Sequence, residues 1–232
     1  MGVIGGRAHL NGITFATNTH VVRGRLSKGM ISIRVRRVPG IRIFMLMDKV
    51  PFLRGISSLL KLDIKLFLGV ILFLTIPWDW FFPVTNFLDF DSTWKSIAAY
   101  CIVFLILMVS LRRMWQFHGA EHKAYNIYVS CGELSLKSVR GASRISEHCG
   151  TNLAVLAIPI AILLSFTNLA LPLIMIALAI SYEIYNRSFR KFRLRPVKFV
   201  AGMIQKYIVT VEPTDEQILL ATATLTKAIE YS

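Results

Sequence analysis

The sequence predicts a mainly α-helical polytopic membrane protein. It would have about four transmembrane helices, a small cytosolic N-terminal β-hairpin and cytosolic C-terminal helices. Three observations point there. Mean hydropathy is +0.56 with 54% hydrophobic residues, more apolar than an ordinary soluble domain. Four apolar segments stand out along the chain. A net charge of +14 is gathered between them, as basic cytosolic loops would be. Nucleic-acid binding is the other usual meaning of such a charge; it ranks lower because the apolar runs demand lipid, and specific nucleic-acid binding is not expected.

The apolar segments are residues 66–83, 97–111, 153–169 and 171–185. A spanning helix needs about 20 apolar residues, within roughly 17–25. The first and third reach that range. The second and fourth are shorter and need tilt or bilayer thinning. The last pair can instead form a short hairpin turning near Thr167, Asn168 and Pro172. Residues 1–61 carry eleven Lys/Arg against one acid, Asp48. The 112–151 connection and the 187–198 stretch are also basic. By the positive-inside rule both termini and that connection face the cytosol, which places the chain as multi-pass in the plasma membrane. Three regions follow: a basic N-terminal region (1–61), a membrane domain (62–195) and a C-terminal helical region (196–232).

Within the first region, Ile31, Ile33 and Val35 alternate with Ser32, Arg34 and Arg36, the period of a strand. With a turn at Ser27-Lys28-Gly29 this reads as a hairpin over about 19–26 and 30–38. Ahead of it, Gly5, Gly6 and Gly12 allow tight turns or close approach to another group; no nucleotide loop is spelled. At the other end, Thr214 to Gln217 reads as a capping box. It opens an amphipathic helix with Ile218, Leu219, Leu225 and Ile229. Residues 196–207 read as a shorter interfacial helix with Lys198 and Lys206 snorkelling.

The chemistry concentrates at His118-Gly119-Ala120-Glu121-His122. On a helix, positions i and i+4 share a face, so both imidazoles point one way with Glu121 beside them. Two nitrogen ligands and a carboxylate that can deprotonate water are the makings of a hydrolytic zinc site, and the spelling is that of the inverzincin metalloproteases. The plainer reading is an interfacial pair bonded to headgroups or backbone. Glu183, among apolar residues, is either a third ligand or a partner of Arg187. Cys149 is a thiolate ligand, a nucleophile or a small packed residue; a helix N-terminus beside it would lower its pKa. His148 is a further ligand candidate. Lys123, Arg187, Arg190 and Lys191 read as phosphate or lipid contacts. Three dispersed cysteines give no disulfide framework, and no cleavable signal peptide is seen.

Gly5-Gly6-x-Ala8 with Gly12, Arg54-Gly55, His118 through Lys123, Cys149-Gly150-Thr151, Ser181-Tyr182-Glu183 and Glu212-Pro213-x-Asp215-x-Gln217 occur in that order. Together they resemble the YqhQ-like family of bacterial membrane proteins. The resemblance covers nearly the whole chain and implies a membrane setting and a metal-dependent enzyme of undefined reaction. In the family pattern a Glu stands at Asn11, a His at Ser146, a Tyr-Glu pair at Tyr128-Val129 and an Arg at His148. Either His148 replaces the missing histidine, or this chain has lost part of the site.

Three functions are therefore expected in order. The first is a membrane-embedded metal-dependent hydrolase with a divalent metal, zinc foremost, held by His118, His122 and Glu183 (or Cys149). Glu121 would be its catalytic base, and the substrate a membrane peptide or lipid. The second is a non-catalytic protein that binds lipid, the ribosome or another membrane protein. The third is an ion or small-solute carrier, for which a homodimer would help.

Overall fold

The computed structural model describes residues 2–38, 101–131 (without 103), 133–165, 176–185 (without 178) and 195–232, with single positions at 43, 46, 47, 49, 50, 57 and 98. The N-terminal region forms four strands: β1 (Val3–His9), β2 (Gly12–Thr17), β3 (His20–Ser27) and β4 (Met30–Arg37). They pair as an antiparallel meander in the order β1-β2-β3-β4. The hairpin read from alternation is its second half, and Lys28 (φ 50°) and Gly29 (φ 77°) close it. Two consecutive positive φ values give a turn whose twist matches that of the strands. Gly5 and Gly6 lie inside β1 and Gly12 opens β2, so these glycines sit in strands, and the turn between them is Leu10-Asn11.

Period-two alternation divides the sheet into two faces. One presents Ile13, Phe15, Val22 and Leu26, all buried, with Ile31, Ile33 and Val35 partly buried. Helices α1 (Arg112–Cys131) and α5 (Asp215–Glu230) cover this face. Phe117, Ala120, Ala124 and Tyr125 form the core stripe of α1, at helical spacing. Helix α5 buries Ile218, Leu220, Ala221, Leu225 and Ala228, whereas Leu219 is exposed. Its capping box is present: Thr214 donates its N–H to Oε1 of Gln217 at 2.9 Å. The other face of the sheet carries Arg7, Arg23, Arg25, Arg34 and Arg36 in facing registers, with Arg23 directly opposite Arg34.

Three shorter elements complete the described parts. Helix α2 is Leu136–Gly141, α3 is Gly150–Ser165, and α4 (Arg195–Ile204) runs into a π-turn at Gln205–Val209. Residues 179–185 are also helical. Lys198 does not snorkel; its ammonium meets Glu147 at 2.8 Å.

The structure corrects the polytopic membrane architecture. Among the described residues, no helix is long and apolar enough to cross a membrane. Hydropathy counted apolar residues, but crossing requires helix length and continuity. Helix α3, on the third apolar segment, has 16 residues with Pro159 inside. Over the described residues that is about 24 Å at roughly 1.5 Å per residue, against a hydrocarbon core of about 30 Å. Helical residues 104–110, in the second segment, pass through Leu111 into α1, whose Arg112, Arg113, His118, Glu121, His122 and Lys123 are polar. In the fourth, the described run 179–185 is about two turns. The first segment, 66–83, lies outside the described residues. The multi-pass plasma-membrane placement with cytosolic termini is corrected with the architecture it rested on.

The helix–sheet contact is tightest at Gly24, where an added Cβ would stand 2.0 Å from Oγ1 of Thr224 and 3.0 Å from Cδ1 of Leu220. Gly24→Ala should therefore lower stability by about 1–3 kcal/mol, the usual cost of overpacking. Adding Thr224→Ala should return part of the loss. Denaturant unfolding of the two chains checks this, and equal stabilities would show that α5 does not press on β3 there.

Candidate metal centre

Helix α1 faces two ways. Its core stripe meets β1, and the adjoining face meets the connection between α2 and α3. His118, Glu121 and His122 lie along the boundary. Glu121 and His122 are buried, while His118 keeps 23% of its side chain exposed. The two imidazole rings stand edge to face, 4.3 Å between centroids. From the connection comes Cys149, just ahead of α3, with its sulfur 3.5 Å from Nε2 of His118. One ligand atom each from His118, His122 and Cys149 fall within 4.8 Å of one another.

The orientation of each ring is set from outside the trio. His122 donates Nδ1–H to the backbone carbonyl of Arg144 at 2.5 Å, which leaves Nε2 as the lone-pair nitrogen. That atom is buried without a hydrogen-bond partner. Metal-ligating histidines are held in this way, with the second nitrogen bonded to a carbonyl or carboxylate. His118 has its Nε2 toward Cys149 and its Nδ1 toward Glu121, 4.0 Å from Oε2. This carboxylate oxygen is likewise buried and without a hydrogen bond. Native interiors seldom leave such atoms unsatisfied.

Burial sets the protonation states. It lowers the His122 pKa to about 4, opposed by the Arg144 carbonyl, and lowers that of His118 with a further push from His122. Both imidazoles are thus neutral, the form that ligates. Burial raises Glu121 to about 8. Cys149 is raised too: desolvation outweighs its hydrogen bonds with the side chain and backbone of Thr151, so the expected lowering by the helix N-terminus is reversed. Tyr125, whose hydroxyl donates to the Val3 carbonyl at 3.0 Å, is raised to about 12 by burial, then by Tyr128 and Glu121.

Two glycines make the arrangement fit. A Cβ on Gly6 would stand 2.7 Å from Oε1 and 2.9 Å from Cγ of Glu121; β1 thus forms the wall against which that side chain lies. A Cβ on Gly119 would stand 2.4 Å from the Val211 carbonyl. The absence of one lets residues 210–213 run beside α1, where Val211 donates its N–H to Trp115 at 3.0 Å. Glu212 then bridges Lys123 (2.7 Å) and Arg144 (3.0 Å), and Lys123 also donates to the Arg140 carbonyl.

Of the residues read from sequence, the structure brings together His118, His122 and Cys149, with Glu121 against His118. Glu183 is buried on the 179–185 helical stretch but is not in the close group. The neighbouring Tyr185 hydroxyl donates to the Glu147 carbonyl. His148 is exposed and lies edge-on to Tyr125, and Ser146 is buried with its N–H on Gln205; neither joins the trio. Lys123, read as a phosphate or lipid contact, is buried and bonded internally. Arg187, Arg190 and Lys191 lie outside the described residues. Sequence reasoning missed Arg144, Asn152 and Gln205, whose contributions are backbone or amide contacts with no periodic signal.

Comparison with known proteins gives two matches and one absence. The family described as "Protein of unknown function (DUF1385)" matches residues 47–231, a span that includes His118, Glu121, His122 and Cys149. The "Uncharacterized protein YqhQ" of Bacillus subtilis (strain 168) is 26% identical over 147 residues, 56% of this chain and 45% of its own length. The chain thus spans less than half of that relative. No solved structure matches.

Gly6→Ala tests the wall behind Glu121. The added methyl should displace the carboxylate from His118, at about 1–3 kcal/mol, and shift the imidazole nitrogen NMR signals of His118 while the chain still unfolds cooperatively. Unshifted signals would mean that β1 does not confine Glu121.

Proposed function

On the premise that the chain belongs to the DUF1385 family, which is described without a reaction, we propose that it is a metal-dependent hydrolase. His118, His122 and Cys149 hold a divalent cation, zinc foremost, and Glu121 is the proton acceptor. The observation that carries this reading is the pair of buried, unsatisfied atoms, His122 Nε2 and Glu121 Oε2, beside a trio of ligand atoms within 4.8 Å. Nitrogen and sulfur donors suit zinc, and three protein ligands are the number found in catalytic rather than structural sites.

A bound zinc ion supplies a Lewis acid that polarises a carbonyl or phosphoryl oxygen and lowers the pKa of water. The chain's own residues do the rest. Arg144 holds His122 in the tautomer that offers Nε2. Burial keeps both imidazoles unprotonated. Glu121, with its Oε2 unbonded, takes the proton released from water and passes it to the leaving group. The exposed part of His118 marks where the site opens.

The untagged protein should copurify with near-stoichiometric metal that is lost in His118→Ala/His122→Ala. Glu121→Gln should retain the metal and lose turnover by about 10²–10⁴-fold. Were Glu121 instead only to orient His118, its loss would weaken metal binding by about 10–100-fold. Folded wild-type protein that stays metal-free after reconstitution with divalent ions would end the hydrolase reading.

A second reading, a docking protein for an anionic partner, is favoured by one observation. The sheet face away from the helices exposes Arg34 and Arg36 on β4, and residues 1–38 contain no acid. A partner of opposite charge complements such a face. Arg34→Glu/Arg36→Glu should then weaken low-salt retention on anionic vesicles or ribosomes by about tenfold, as screening of such contacts requires. Equal retention of both chains would remove this reading.

A further inference from the structure

Cys149 reaches the two histidines from a turn, residues 146–149, that presents several of its carbonyl groups to one neighbour. Three of them converge on one side chain: Asn152 donates Nδ2–H to the carbonyls of Ser146 (3.0 Å), Glu147 (3.1 Å) and Cys149 (3.1 Å). The backbone N–H of Asn152 also reaches the Cys149 carbonyl, at 3.0 Å. Asn152 is 2% exposed. Its Oδ1 accepts from Nε2 of Gln205 at 3.4 Å, and Gln205 Oε1 accepts the Ser146 N–H at 2.7 Å. The bonds close a ring from Gln205 through Asn152 and the turn back to Gln205.

Gln205 is fully buried and opens the π-turn. Its own carbonyl accepts from the N–H (3.0 Å) and hydroxyl (2.6 Å) of Thr210. The Thr210 carbonyl in turn accepts from Arg144 Nη1 at 3.1 Å. The π-turn therefore grips the connection at two points. One is Arg144, whose carbonyl orients His122; the other is Ser146, at the start of the Cys149 turn. The ring supplies partners to backbone groups that two hydrocarbon side chains would leave unpaired, and a polar network satisfied in this way fixes one geometry.

We propose that Asn152 and Gln205 are positioning residues that set the Cys149 sulfur as the third ligand beside His118 and His122. The proposal deepens the metal reading above and rests on it for the word ligand. The placement of Cys149 can be measured without a metal.

The probe is cobalt(II) in the reconstituted chain, where a cysteine ligand gives a thiolate-to-cobalt charge-transfer band in the near ultraviolet. Asn152→Ala and Gln205→Leu should lose most of that band and bind cobalt about 10–100-fold more weakly, with the histidine pair still holding the ion. Gln205→Glu keeps the acceptor for Ser146 and should retain more of the band than Gln205→Leu. A full band and unchanged affinity in the folded variants would overturn the proposal. Should the wild type take up no cobalt, the metal reading fails, and alkylation of Cys149, followed by peptide mass spectrometry in the metal-free chains, decides the rest. Faster alkylation in folded Asn152→Ala and Gln205→Leu upholds the positioning; equal rates overturn it. If either variant does not fold, Asn152→Asp and Gln205→Met, which nearly keep volume but remove the donor, take their place in both measurements.

Discussion

Burying two imidazoles and a carboxylate on successive turns of one helix is the constraint around which the described part of this fold is arranged. Each group resists burial in its charged form, and the shifts of Glu121 to about 8 and His122 to about 4 record that resistance. The sheet desolvates Glu121 from one side through Gly6. The connection between α2 and α3 covers the histidines from the other. Helix α5 is needed for both, because it packs on β2, β3 and α1 together and so holds the sheet against the helix that bears the site.

The second tier of interactions keeps that connection in place. A buried ammonium is costly unless paired and hydrogen-bonded, yet Lys123 is 5% exposed. It has both: the Glu212 carboxylate and the Arg140 carbonyl. Because Glu212 also meets Arg144, the ion pairs link α1, the end of α2, the His122-bearing carbonyl and the segment before α5. Glu212 itself is largely exposed, so solvent screens its share of the energy. Its contribution is mainly geometric, since it fixes where the Arg144 backbone runs.

What was legible in the sequence was what local physics decides. The alternation at Ile31, Ile33 and Val35 and the Lys28-Gly29 turn specify β3 and β4, and Thr214 with Gln217 specify the start of α5. The pentad placed His118, Glu121 and His122 on one face because helical spacing allows nothing else. β1 and β2 escaped because Gly5, Gly6 and Gly12 weaken any strand signal, and the reason for Gly6 is a carboxylate more than a hundred residues away. The choice among Cys149, His148 and Glu183 was equally beyond reach: it depends on a turn closed by Asn152 and Gln205, and amides carry no period. Hydropathy misled for a related reason, since it sums side chains and is blind to Pro159 inside α3 or to the polar residues into which the second apolar run continues as α1.

Charge balance argues for the valence of the ion that the proposed centre takes. Two neutral imidazoles contribute donors without charge, and in a site this buried the total charge decides the cost. A cation bound there favours the ionised forms of a neighbouring thiol and carboxylate, reversing the shifts that burial alone imposes on Cys149 and Glu121. One thiolate and one carboxylate sum to two negative charges. A divalent ion makes the group neutral, whereas a monovalent ion leaves a buried net charge and a trivalent ion leaves one of opposite sign. The same sum explains why a second acid, Glu183, is dispensable in the trio. Adding it would make the buried group anionic, and the thiol of Cys149 already supplies the charge that a second carboxylate would bring.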